Sequence, residues 1–203
     1  MRCEGPAAIL VCRHRRCALR TGRQRAPSVP GSWIRAVNRP HHSEPSIEFT
    51  VHIGDIKAGN TLCEDNVYLN NFAYFNSFEN PVIFTPGDNE WTDCHRANNG
   101  SMDPLDRLLL LRTLFFDGNK SLGQKRVPLF KDRAPYVENS IWRQRPAMFV
   151  TLHQSGSNNN RDRKTGLYAD LTDSEYAARN ESNMEFLDRV FHQAHFNPRS
   201  SLS

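Results

Sequence analysis

Short β-branched apolar runs alternate along this chain with stretches of helical spacing, and that alternation predicts its elements. Residues 47–53 place Ile47, Phe49, Val51 and Ile53 at every second position, and residues 81–85 are almost continuously apolar. Both predict strands, while residues 62–78 between them carry Tyr68, Phe72 and Phe75 on one face of a helix. Asp103-Pro104 predicts a second helix start, because Asp caps orphan N–H groups and Pro is tolerated at the first helical position. Leu105, Leu108, Leu109, Phe115 and Phe116 continue it at helical spacing. Residues 117–136, rich in Gly, Pro, Lys and Arg, predict an exposed loop, and residues 140–143 and 147–153 predict two paired strands. After a polar loop at 155–163, Thr172-Asp173-Ser174-Glu175 has the form of a capping box. It opens a long helix with Ala177, Met184, Leu187, Phe191 and Ala194 on one face, fraying beyond Phe196. Strands alternating with helices predict an α/β fold. No internal repeat is visible.

Length and charge refine this picture. At 203 residues, one domain with a real core is expected. No apolar run approaches the ~18 residues of a membrane-spanning helix. Residues 1–45 hold nine Arg, no Lys and two acids, a net charge of +7, which leaves residues 46–203 at −3. The chain therefore divides into an Arg-rich segment, 1–45, and a mildly acidic body, 46–203. The Arg-rich segment has three readings: an organellar targeting peptide, a nucleic-acid-binding arm, or a disordered or misassigned start. On the first or last of these, the location is organellar or cytoplasmic. Cys3, Cys12 and Cys17, beside His14, fit no common zinc spacing.

The candidate chemistry lies where the two strands end. Each runs into Gly-Asp, at Gly54-Asp55 and Gly87-Asp88. A carboxylate at the tip of a buried strand is costly unless something offsets its desolvation, and a hard divalent cation prefers carboxylate oxygen. Two such tips side by side would make a two-carboxylate metal pocket; separately, each is also an ordinary turn. Cys63 and Cys94 each follow one of the motifs. They would be close enough to bridge if the strand ends are neighbours, although two separate thiols is the simpler reading. His52 and His153 read as structural, Trp91 as core, and Ser157-Asn158-Asn159-Asn160 as a polar loop or a pocket rim.

Gly54-Asp55 and the string Pro86-Gly87-Asp88-Asn89-Glu90-Trp91-Thr92-Asp93-Cys94-His95-Arg96, with Asp103-Pro104-Leu105 and Ser155-Gly156-Ser157-Asn158-Asn159 after them, resemble the calcineurin-like metallophosphoesterases, in an uncharacterised branch. The resemblance covers roughly residues 47–196. It implies an α/β/β/α sandwich, of which this chain supplies part, and a phosphate ester substrate. It also implies two divalent ions (Mn, Fe, Zn or Mg), with Asp55 as bridging ligand and Asp88 on the second metal. Asp88 stands at the family's ligand Asn, which keeps an oxygen donor and adds charge. Asn89 stands at the family's catalytic His, where it can hydrogen-bond phosphate but cannot donate a proton as His does. His95 is the candidate replacement proton donor and Arg96 the candidate phosphate partner. The family's upstream Asp-x-His and its C-terminal histidines have no counterpart here, so an incomplete or diverged domain is expected. Two functions follow: a metal-dependent phosphoester hydrolase or fragment of one, or a non-catalytic metal-binding or interaction module.

Overall fold

The computed structural model describes residues 8–13, 16–21, 46–145, 147–161 and 168–196, with backbone alone for 8–13, 16–21, 195 and 196. The fold is mixed α/β, with two small sheets and three main helices. The first sheet has the order β2-β1-β3-β4: β1 (Ala8–Arg13), β2 (Arg16–Thr21), β3 (Ile47–His52) and β4 (Val82–Phe84). Part of the Arg-rich segment thus joins the sheet as a hairpin, β1 lying antiparallel to both β2 and β3. β3 and β4 run parallel, with Thr50, Val51 and His52 opposite Val82, Ile83 and Phe84. The second sheet, β5-β6-β7, is antiparallel: β5 (Phe130–Lys131), β6 (Ser140–Gln144) and β7 (Ala147–Thr151).

Side-chain alternation on β3 and β4 sorts the core into distinct clusters. Val82 and Phe84 join Tyr68 and Phe75 of α1 (Asp65–Asn76) and Leu108 and Phe115 of α2 (Pro104–Phe115). Ile83, with Phe49 and Val51, packs instead against Trp142 of β6 and Phe149 of β7. A third cluster joins Ile141 of β6 to Phe186 and Val190 of α3 (Thr172–Phe196).

Several expectations are refined. α1 begins at Asp65, not residue 62, leaving Leu62 45% exposed. Asp103 caps α2 as expected, accepting from the Leu105 N–H at 2.8 Å, but Leu109 faces solvent and Leu108, Leu111 and Phe115 form the buried stripe. Residues 117–136 are not simply an exposed loop: Leu122 bridges to Val82, Phe130 and Lys131 form β5, and Ser121, Leu129 and Asp132 are buried. The largest correction concerns α3. Met184 and Phe191, expected on its buried face, are 59% and 65% exposed. The face turned inward carries Arg179, Ser182 and Asn183 beside Phe186 and Val190.

Those polar groups are buried because each has partners. Ser182 donates to Asp132 at 2.9 Å, which also pairs with Arg189. Asn139 donates to Asn183 at 2.8 Å, and Asn183 donates to the His153 carbonyl at 2.9 Å. Below them, Glu138 accepts two bonds from Arg112 and pairs with His153 Nδ1 at 2.8 Å. Burial pushes the Glu138 carboxyl up, but His153 and Arg112 outweigh it and hold the group at about 2.

His52 is buried differently. It is buried between Phe75 and Phe84, with no hydrogen-bond partner for either ring nitrogen among the described residues. Burial lowers its pKa from 6.5 to about 4. A histidine depressed in the fold contributes stability above its unfolded pKa, and that contribution is lost as pH falls through the folded value. The shift corresponds to a loss on the order of 3 kcal/mol between pH 6.5 and 4. Replacing His52→Phe should keep the ring contacts and remove that loss. Denaturant melts of both proteins at pH 7 and pH 4.5 check this: the variant is expected to gain on the native chain at the lower pH.

Candidate functional site

Parallel pairing of β3 with β4 brings the two Gly-Asp turns to the same end of the sheet, where ligands gather in open α/β sheets. The turns are in contact. Gly54 has φ of +85°, and a Cβ there would overlap the Gly87 backbone. A Cβ on Gly87 would overlap the Asp55 carboxylate. Glycine at both positions is what allows the approach. Asp55 itself is left-handed, with φ of +59°, a conformation Asp tolerates better than most residues.

Glu90 ties the turns together. Its fully buried carboxylate accepts the Gly87 N–H at 2.6 Å and the Asp55 N–H at 3.0 Å. Tyr68 Oη donates to the Glu90 carbonyl at 2.9 Å. Beyond Glu90, a 3-10 turn (Thr92–His95) carries Asp93, which is also buried. Ser157 Oγ lies 2.8 Å from Asp88 Oδ2 and 2.6 Å from Asp93 Oδ1, so one hydroxyl bridges two carboxylates.

Four acids therefore crowd one corner, and the protonation of Asp55, Glu90 and Asp93 reflects it. The Asp55 pKa is raised, first by burial and then by the charge and hydrogen bonding of Asp88. Glu90 is raised by burial and by Asp55, and Asp93 by burial. The internal counter-charge is Lys57, buried beneath them, with Nζ donating to the Thr61 carbonyl at 2.8 Å. Burial brings its pKa down to about 8, against the upward pull of Glu90, Asp93 and Asp55.

Of the residues singled out in the sequence, Asp55 and Asp88 come together. Asn89 is adjacent, with Nδ2 donating to the Lys57 carbonyl at 3.3 Å. Arg96, side chain 45% exposed, pairs with Asp93 at 2.6 Å and reaches Ser157 at 3.3 Å. His95 turns back on its own turn, Nδ1 lying 2.6 Å from the Thr92 carbonyl, and its charge acts on Asp93. Asp93 and Lys57 were missed by sequence reasoning. Asp93 lies inside the quoted string, but nothing in its spacing distinguished it from a turn residue. Lys57 is a cation in a loop, and its burial is not legible from its neighbours.

Cys63 and Cys94 are joined by a disulfide, their Cα atoms 5.8 Å apart, so the separate-thiol reading gives way to a bridge. The bond links the chain after Asp55 to the chain after Asp88. With a sequence separation of 31, loop closure gives a stabilisation of about 3–4 kcal/mol in the chain-entropy model. Such a bond persists in oxidising compartments.

At the Asp55–Asp88 pair two carboxylates face each other and offer oxygen donors of the kind a hard cation prefers, with Lys57 as the buried counter-charge. The pair does not supply the two-metal set the resemblance implies. Glu90 is committed to backbone N–H groups and Asp93 to Arg96 and Ser157. Among the described residues, no three His, Cys, Asp or Glu converge as a metal-binding group. The described residues also include no helix long and apolar enough to cross a membrane.

A raised carboxyl has a definite sign in the stability balance. The Asp55 contribution is favourable below the unfolded carboxylate range, about 4, and is lost as pH rises through the higher folded value. Asp55→Asn, which suits the left-handed backbone and removes the charge, is therefore expected to raise the melting temperature of the metal-free protein at pH 7.5. The rise should be roughly 2–4 °C per kcal/mol relieved, shrinking toward pH 4.5; calorimetry at the two pH values checks it. No protein-family model, curated protein or solved structure matches this chain.

Proposed function

We propose that this chain carries a metallophosphoesterase-type site of the calcineurin-like kind, a divalent cation held by Asp55 and Asp88 acting on a phosphate ester. The observation that carries the reading is the contact between Gly54-Asp55 and Gly87-Asp88 at the ends of adjacent parallel strands. The sequence of clusters supports it as well: α1 and α2 against β4, then β3 and β4 against β6 and β7, then those strands against α3. That is the order an α/β/β/α sandwich requires.

When bound, the cation neutralises phosphoryl charge and lowers the pKa of a coordinated water. The chain's own residues then have separable tasks. Arg96 offers a half-exposed guanidinium to a phosphate oxygen while one edge stays on Asp93. Asn89 offers a phosphate oxygen the second N–H of its amide, the first being donated to the Lys57 carbonyl. His95, held with Nδ1 2.6 Å from the Thr92 carbonyl, is the candidate proton donor to a leaving group. Glu90 acts on neither metal nor substrate, and keeps the two turns in register.

A second reading, a non-catalytic metal-binding or interaction module, is favoured by one observation. Asn89 occupies the place where the family has its proton donor, and its amide is already engaged by Lys57. One assay separates the two readings: release of p-nitrophenol from p-nitrophenyl phosphate by the metal-free chain, then with added Mn²⁺, beside Asp88→Ala. The hydrolase reading expects Mn²⁺-dependent turnover that Asp88→Ala abolishes. Mn²⁺ binding without turnover would leave only the non-catalytic module, and absence of both would remove the hydrolase and the metal-binding module together.

A further inference from the structure

The longest run of left-handed residues among the described residues lies beside this site. Ser157, Asn158, Asn159 and Asn160 have φ values of 49°, 55°, 56° and 65°, a full left-handed turn of non-glycine residues. Left-handed residues cost roughly 1–2 kcal/mol each, less for Asn, so such a run persists only where its surroundings over-determine it. Here one side chain does most of that. Arg179 of α3 is fully buried, and every edge of its guanidinium is used on the turn and its anchor. Nη1 donates to Asn159 Oδ1 at 2.8 Å and to the His153 carbonyl at 2.9 Å; Nη2 donates to the Asn159 carbonyl at 3.0 Å. Nε donates to Glu175 at 2.6 Å, and Glu175 in turn accepts from Asn160 at 2.8 Å. The Trp91 ring lies under the guanidinium, 5.3 Å from its centre. Asn159 Oδ1 also accepts the Ser155 N–H at 3.2 Å, closing the turn. Glu175 is thus engaged by Arg179 and Asn160, and Thr172 Oγ donates to the Ala169 carbonyl at 2.9 Å.

The held turn points at the carboxylates. Gly156 sits so close to Asp88 that a Cβ there would overlap its carboxylate, and Ser157 Oγ bridges Asp88 and Asp93. We propose that Arg179 is a positioning residue for the candidate cation site: it holds the left-handed turn so that Ser157 fixes the Asp88 carboxylate toward Asp55. This rests on the reading that Asp55 and Asp88 take a cation. Arg179 touches no carboxylate of the pair itself. It acts through Asn159 and Ser157, much as an outer partner orients a metal ligand. A lysine cannot replace it, because a single ammonium cannot reproduce the fork of donors.

The test is Mn²⁺ affinity of the full chain, measured by electron paramagnetic resonance, for the native protein, Ser157→Gly and Arg179→Lys. Ser157→Gly keeps a residue suited to positive φ and removes the CH2OH group that reaches Asp88 and Asp93, while no Arg179 contact is to Ser157, so it separates positioning from folding. Both variants are expected to bind Mn²⁺ roughly tenfold more weakly, in the range that outer partners of metal ligands carry, with the melting temperature of Ser157→Gly unchanged. Native-like affinity in a folded Ser157→Gly overturns the proposal, and that variant decides alone if Arg179→Lys does not fold. If the native chain binds no Mn²⁺, the cation reading fails separately. The positioning claim is then read from hydrogen exchange of the Asp88 and Asp93 amides: faster exchange in Ser157→Gly supports it, and unchanged exchange overturns it.

Discussion

The contact between the Gly54-Asp55 and Gly87-Asp88 turns is the constraint on which the rest of this structure depends. Parallel pairing of β3 with β4 forces the two strand ends together, and glycine lets their backbones touch. The consequence is electrostatic. Asp55 and Asp88 are brought face to face, with Glu90 and Asp93 behind them, in a corner whose buried counter-charge is Lys57. Crowding of this kind raises the Asp55 and Glu90 pKa values and weakens the fold near neutral pH. A site that is costly without a ligand is what cation binding would relieve.

Much of the surrounding architecture serves to hold that corner still. Glu90 bonds both turns from below. The Cys63–Cys94 disulfide joins the segments that leave them. From the far side, α3 reaches in with Arg179 and sets the turn that brings Ser157 to Asp88 and Asp93. The polar interface of α3 then makes sense. Its inward face exchanges apolar area for hydrogen bonds because its task at that end is to fix a backbone, while Phe186 and Val190 supply ordinary packing.

Periodicity made some of this legible and concealed the rest. β3, β4, β6 and β7 were readable because alternation and β-branching act locally, and the Asp103 cap was readable because its chemistry is local too. The nearness of Asp55 and Asp88 followed from placing matching motifs at two strand ends. The buried face of α3 was not readable. A stripe of Ala177, Met184, Leu187 and Phe191 marks the inside only if burial is driven by apolar area, whereas here Arg179, Ser182 and Asn183 are satisfied by partners scattered from Asp132 to Asn159. Such partners are tertiary and leave no local period. The left-handed turn was equally hidden, since a run of Ser and Asn reads as a loop until Arg179 is seen to hold it.

The most direct test is crystallographic: anomalous diffraction from crystals of the chain grown with Mn²⁺. A peak between the Asp55 and Asp88 carboxylates, with Ser157 still on Asp88, is the predicted result. Well-ordered carboxylates in contact and no peak between them, at Mn²⁺ concentrations that occupy ordinary sites, would contradict the account.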